Sequence, residues 1–207
     1  LRQYGTFNEN GLVHKPSNLS FEQAATLSCA GVTAWNALYG VKGNQVKPGD
    51  WVLTIGTGGV SIFAVQFAKA AGARVISTTS SPAKADLLRK LGADHVLNYN
   101  EIPNWGEEAR SLTGGQGVDF VIEVGGPTTF GQSLKSVKMD GVITVVGFVG
   151  GPREGPGFME ILGGLCTVRS VLVGSRDLFE EMNKAIEGSN LSLHIDEKIF
   201  SLENARE

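Results

Sequence analysis

From Trp51 to Gly174 the chain alternates short apolar runs with longer stretches of helical periodicity, and that rhythm restricts the fold more than any other feature. Lys47-Pro48-Gly49-Asp50 is a turn signal that leads into the apolar run Trp51–Ile55. A glycine loop and a helical stretch, Val60–Ala71, follow, and Gly72 stops the helix. The next runs are Arg74–Thr79, His95–Tyr99, Val118–Val124, Val142–Phe148 and Thr167–Gly174. Helices are predicted between them, from Pro82 to Leu91, Asn104 to Leu112 and Thr128 to Lys138. Ser81-Pro82 marks the start of the first of these and Gly92 its end. Earlier, Ser20 and Gln23 have capping-box spacing ahead of the apolar run Ala24–Cys29, and Val32–Tyr39 reads as another helix. Asp177 and Glu180 have the same spacing before a helix that stops at Gly188. Strands of this length separated by helices cannot pair as hairpins, so the pattern predicts an α/β fold with a doubly wound, parallel, six-stranded sheet.

Composition narrows the partners. A net charge of −3 gives no reason to expect nucleic acid or an anionic membrane surface. The two longest uncharged stretches, Gln23–Val41 and Trp51–Ala68, carry Gly, Ser and Thr and do not read as membrane spans. Two cysteines, Cys29 and Cys166, make no disulfide framework, which points to a reducing, cytosolic setting. Both are expected to be small buried hydrophobes. The chain starts at Leu1 and runs into a helix-like Leu202–Glu207, so a portion of a longer enzyme is expected.

Gly56-Thr57-Gly58-Gly59-Val60-Ser61 joins the first strand to its helix. Gly56 permits a tight turn, Gly58 and Gly59 admit a pyrophosphate close to the backbone, and the helix start offers free N–H groups. Ser61 stands where a third glycine is usual, which weakens the motif, and a turn needed only for strand-to-helix packing is the competing explanation. An NAD-selective sheet carries an Asp or Glu at the end of the second strand. Here Thr78-Thr79-Ser80-Ser81 has none, and Lys84 follows. Hydroxyls and a cation suit a 2′-phosphate, so NADP(H) is expected ahead of NAD(H), although Lys84 also fits an ordinary solvated helix position.

Several ordered motifs make the chain resemble the medium-chain dehydrogenase/reductase superfamily, in its zinc-type alcohol dehydrogenase-like and quinone oxidoreductase-like branch. They are Gly31-Val32-Thr33-Ala34-Trp35, Lys47–Asp50, Gly56–Ser61 and Lys90-Leu91-Gly92-Ala93-Asp94, then Gly117–Asp119 with Val121–Gly126, Val145–Phe148 and Leu202–Arg206. The resemblance implies a Rossmann NAD(P)-binding domain over residues 29–175. It also implies remnants of a GroES-like catalytic domain at the termini, a tail over 1–28 and a returning segment over 176–207. Thr33 would lie near the nicotinamide, and Gly56, Gly58, Gly59 and Val60 around the pyrophosphate. Ser80, Ser81 and Lys84 would meet the 2′-phosphate, Tyr99 the adenosine, and Val124, Gly125 and Phe148 would come from later loops. For Tyr99 and Phe148, plain core packing fits equally well.

The catalytic groups of that superfamily sit on an N-terminal domain that this sequence does not contain, so no catalytic residue is assigned. Cys29 falls near a zinc-ligand position of zinc-dependent relatives. His14, His95 and His194 lack metal-ligand spacing, and no metal is expected. The resemblance implies hydride transfer between nicotinamide and a carbonyl, alcohol or enone, with a possible homodimer through the sheet edge at Val142–Phe148 and Thr167–Gly174. A short-chain dehydrogenase would need Tyr-x-x-x-Lys, but Tyr4, Tyr39 and Tyr99 are followed by Asn8, Gly43 and Pro103. A methyltransferase would want an acid at the end of the second strand. A non-catalytic NAD(P)-binding module or sensor stays open, because a fold alone does not specify chemistry.

Overall fold

The computed structural model describes residues 3–204. Of the helix-like stretch 202–207, residues 202–204 form a turn and 205–207 lie outside the described residues, as does part of the terminal motif. Six strands make one parallel sheet: β1 (Trp51–Ile55), β2 (Arg74–Thr79), β3 (His95–Asn98), β4 (Val118–Glu123), β5 (Val137–Val145) and β6 (Thr167–Ser170). Their spatial order is β3-β2-β1-β4-β5-β6, so the halves β1–β3 and β4–β6 meet where β1 pairs with β4. This is the doubly wound Rossmann-type sheet that the rhythm predicts.

Alternation along the central strands builds two cores. Val52, Val75, Phe120, Ile122 and Val142 face one side, under Phe63 and Phe67 of α3 (Gly59–Ala70). Helices α2 (Val32–Tyr39), α4 (Pro82–Lys90) and α8 (Arg176–Gly188) complete that cover. Leu53, Ile76, Val121 and Ile143 face the other side, against Trp105 and Ala109 of α5 (Trp105–Leu112) and Leu134 of α6 (Pro127–Ser136). Burial on both faces accounts for the near-continuous apolar strands. The buried Thr54 and Ser77 hydroxyls pair with one another, 2.8 Å apart across β1 and β2.

The differences from the sequence expectation have local causes. The run Ala24–Cys29 is not one helix: α1 (Phe21–Ala25), with its Ser20–Gln23 capping box, gives way to a π turn over Leu27–Gly31. There the Gly31 N–H reaches back to the Thr26 carbonyl at 3.3 Å, and the extra residue changes the helical phase. Leu27 and Gly31 turn inward and Cys29 turns outward. Cys29 is therefore exposed and Cys166 only half-buried, which corrects the expectation that both are core residues. β5 starts at Val137 and leaves the sheet at Val145, so Val146–Phe148 form a loop. β6 ends at Ser170. A short α7 (Phe158–Gly163) lies inside the glycine-rich stretch before β6. The cap of α8 is Ser175, whose hydroxyl accepts from Leu178 N–H, so Asp177 is not the capping residue. Ser81 holds the N-cap position of α4 without a side-chain hydrogen bond, and Pro82 begins the helix.

Side-chain amides fasten both ends of the described chain to the helices beside them. Asn183 Nδ2 donates to the His14 carbonyl, Gln23 Nε2 to that of Leu193, and His194 N–H to Gln66 Oε1, at 2.8, 3.0 and 2.7 Å. Between α3 and β2, Asp94 accepts from Lys69 Nζ at 2.9 Å and Val75 N–H at 2.7 Å.

Two predictions follow from this packing. Leu53 is fully buried at the centre of β1, so Leu53→Ala should lower unfolding free energy by about 2–5 kcal/mol, read by urea denaturation. Partial burial favours the neutral form of Asp94, but the Lys69 ammonium and the Val75 N–H outweigh it and hold the carboxyl below its ordinary value. Its folded pKa is thus depressed, and its stabilisation is present above the unfolded value of about 3.9 and lost as pH falls through the folded one. Melting temperatures from pH 6 to pH 3 should drop less steeply for Asp94→Asn than for the wild type.

Candidate functional site

The site begins where β1 and β4 part. Successive connections leave these neighbours in opposite directions, which opens a crevice at their carboxyl ends. A cavity of about 880 Å³ fills it, within the size range of small-molecule sites. Its floor is Ile55 and Thr78 at the ends of β1 and β2. The β1–α3 turn, Gly56–Ser61, forms one wall, and Val124, Gly125, Thr128 and Thr129 at the β4–α6 turn form the opposite one. Lys84, Tyr99, Pro103 and Trp105 close one end, while Val146, Gly147, Val149 and Gly150 follow β5.

Gly56 has φ +73°, and its N–H donates to the Thr78 carbonyl at 2.9 Å, so the turn is tied to β2. Glycine is needed there for its left-handed backbone. Gly58 holds the N-cap of α3 and has no side chain to occupy the first turn, and a Cβ on it would project into open space. The N-terminus of α3 therefore presents its amides and the positive end of its dipole to the cavity. Ser61 replaces the usual third glycine at no cost to packing. It is almost fully buried, and its hydroxyl donates to the Ile55 carbonyl at 2.7 Å, holding α3 to the end of β1.

The opposite wall is organised by Glu123. Its Oε1 accepts from Gly125 N–H at 2.8 Å, Gly126 N–H at 3.0 Å and Thr129 Oγ1 at 2.5 Å, and its Oε2 accepts from Ser133 Oγ. Gly126 has φ +78°, and a Cβ there would stand 2.9 Å from the Phe148 Cα, so only glycine fits between the two loops. The Val149 and Gly150 N–H groups donate to the Val124 and Gly125 carbonyls, which extends the wall beyond β5.

Of the residues singled out from the sequence, Gly56, Gly58, Gly59, Val60, Lys84, Tyr99, Val124 and Gly125 line this one cavity. Thr33, Ser80, Ser81 and Phe148 do not line it. Thr33 is buried in α2, and its hydroxyl donates to the Cys29 carbonyl at 2.6 Å. Ser80 is exposed and Ser81 half-buried at the start of α4, while Phe148 is 77% exposed on the loop after β5. Thr78, named from the sequence only as part of the hydroxyl-bearing end of β2, also lines the cavity. Pro103, Trp105, Thr128, Thr129 and, apart from Phe148, the Val146–Gly150 loop carry no assigned role in the sequence reading. Glu123 was quoted within a motif but given no role. Its signal was a lone charge ending an apolar run just before two glycines.

A dinucleotide fits what is present: a deep cleft, an uncapped helix start without side chains in the way, and the buried Thr78 Oγ1, which has no hydrogen-bond partner at the cavity floor. Zinc does not fit. Among the described residues no three His, Cys, Asp or Glu stand together, and Cys29 lacks the partners that tetrahedral coordination needs.

Comparison with known proteins agrees with the geometry. Residues 59–188 match the family model described as zinc-binding dehydrogenase. A zinc-type alcohol dehydrogenase-like protein of Schizosaccharomyces pombe is 44% identical over 210 aligned residues, covering 100% of this chain and 60% of that protein. An alcohol dehydrogenase of Geobacillus stearothermophilus is 36% identical, with coverages of 86% and 51%. The crystal structure of a quinone oxidoreductase from Pseudomonas syringae superposes with a TM-score of 0.79 at 31% identity, covering 91% of this chain and 59% of that one. The chain thus spans about half to three-fifths of the length of these relatives. By its matching residues and its sheet, the chain belongs to the zinc-binding dehydrogenase family of the medium-chain dehydrogenase/reductase superfamily.

Proposed function

We propose that the cleft binds a nicotinamide dinucleotide, NADP(H) ahead of NAD(H), and that the protein acts as an oxidoreductase passing hydride between the nicotinamide and a carbonyl, alcohol or enone. The observation that carries this reading is the uncapped start of α3, opening through a side-chain-free glycine turn into the cavity at the β1–β4 divide. The pyrophosphate is received by the amides of Gly58–Ser61, with Gly56 shaping the turn. Tyr99, Pro103 and Trp105 enclose the adenosine, and Lys84, with Ser80 and Ser81 beside it, meets the 2′-phosphate. Val124 and Gly125 wall the nicotinamide end, and Thr33 and Phe148 belong to its surroundings. When bound, the nicotinamide supplies the hydride chemistry, and the protein orients it and keeps one face dry.

Titration of the chain with NADPH and with NADH, followed by nicotinamide fluorescence, tests the assignment. NADPH should bind more tightly, and Lys84→Ala should weaken NADPH about tenfold while leaving NADH within about twofold, as loss of one charge-assisted phosphate contact requires. Equal wild-type affinities would remove the NADP preference, and a folded chain that binds neither would remove the reading.

We also propose that β6 is a homodimer edge. Among the described residues β6 pairs only with β5, and Phe158, Met159, Leu165 and Leu172 nearby are more than half exposed. An open apolar edge invites a second copy. Sedimentation should show a dimer at micromolar concentration, and Val168→Lys should shift it to monomer. A wild-type chain that stays monomeric would sink the proposal.

A further inference from the structure

The two halves of the sheet end their first strands differently. Ile55 and Glu123 occupy equivalent places, each one residue beyond the paired Thr54 and Ile122. Each is followed by a turn with a left-handed glycine, Gly56 or Gly126, that leads into a helix. In the first half the strand ends on an apolar residue, and no side chain takes up the amides at the start of α3. In the second half the carboxylate of Glu123 takes the two successive amides ahead of α6, together with the hydroxyls of Thr129 and Ser133. An anion belonging to the chain thus occupies the place where a phosphate would otherwise sit.

This carboxylate is fully buried. None of the ion pairs among the described residues includes it, so its four hydrogen-bond donors are neutral and its charge is not cancelled by a cation. It lies directly behind the cavity wall, because Gly125, whose N–H it accepts at 2.8 Å, lines the cavity. A buried charge acts over a longer range than one in water. The ring it would act on carries a positive charge when oxidised and none when reduced.

Building on the dinucleotide reading of the cleft, we propose that Glu123 is a positioning and selectivity residue for the nicotinamide end. It keeps the cofactor's phosphates at α3, fixing the direction in which the dinucleotide lies, and it favours the oxidised ring over the reduced one. Glu123→Gln is the informative change. The amide is the same size and can accept from Gly125, Gly126 and Thr129 while donating to the Ser133 hydroxyl, so the turn keeps its shape and loses its charge.

Dissociation constants for NADP⁺, NADPH and adenosine 2′,5′-bisphosphate would be measured by calorimetry for the wild type, E123Q and S133A, with circular dichroism verifying the fold. The bisphosphate lacks nicotinamide and should bind E123Q within about twofold of the wild type, since Glu123 does not face the adenosine end. NADP⁺ should weaken about tenfold in E123Q and NADPH much less, shifting their ratio, as removal of a nearby buried charge predicts. S133A loses a donor but keeps the charge, and its ratio should match the wild type. Equal weakening of both dinucleotides, or an unchanged ratio in E123Q, overturns the proposal. Should E123Q not fold, the wild type still decides, because NADPH binding more tightly than NADP⁺ would refute the oxidised preference. A wild type that binds none of the three would instead overturn the cofactor reading beneath it.

Discussion

The pairing of β1 with β4 is the constraint on which the rest depends. Parallel strands need long crossovers, and crossovers of one hand must leave these two neighbours in opposite directions. The crevice between the departing turns is therefore a product of chain topology. It needs no dedicated side chains to hold it open. What the sequence decides locally is how each bank is finished. A glycine turn and a bare helix start finish one bank, while a buried carboxylate and two glycines finish the other.

Much of this was legible from residue pattern alone. β1 and β2 begin and end where expected because turn residues flank them sharply: Pro48-Gly49-Asp50 before, Gly56 after, and Gly72 between. The limits of β5 were misread for two physical reasons. Its first residues, Val137–Asp140, include Lys138 and Asp140, which hide a strand whose early part runs beside an irregularity opposite Val118 and Phe120. Its apparent continuation is apolar for another reason, since Val146 and Gly147 line the cleft after leaving the sheet and Phe148 stands exposed on the same loop. The helix α7 was hidden by flanking glycines, and the outward turn of Cys29 by a π turn that side-chain periodicity does not record.

The site divides the same way. Glycines that shape turns could be named from their spacing, because their conformational freedom is a backbone property readable from sequence. Residues that meet only across the fold could not. Trp105 reaches the cavity from α5, Thr128 and Thr129 from α6, and Val149 and Gly150 from beyond β5. Each is ordinary in its own segment. Glu123 is the instructive case: its donors lie two to ten residues downstream, close enough in sequence to be sought, but only the α6 helix shows that Thr129 and Ser133 turn back toward the strand.

The hydroxyl pair of Thr54 and Ser77 has a consequence for how the sheet assembles. Both side chains lie in the sheet interior, where they satisfy one another. If β2 slipped by one residue so that Ile76 stood opposite Thr54, both hydroxyls would lose their partners. In the opposite slip Thr78 would take the place beside Thr54 and Ser77 alone would be stranded, at about 1–3 kcal/mol for each hydroxyl left among aliphatic groups. Apolar neighbours such as Val75 and Ile76 would tolerate either slip far better than the hydroxyls do. The pair therefore works as a key for strand alignment during folding, selecting one register among several that hydrophobic burial alone would nearly equate.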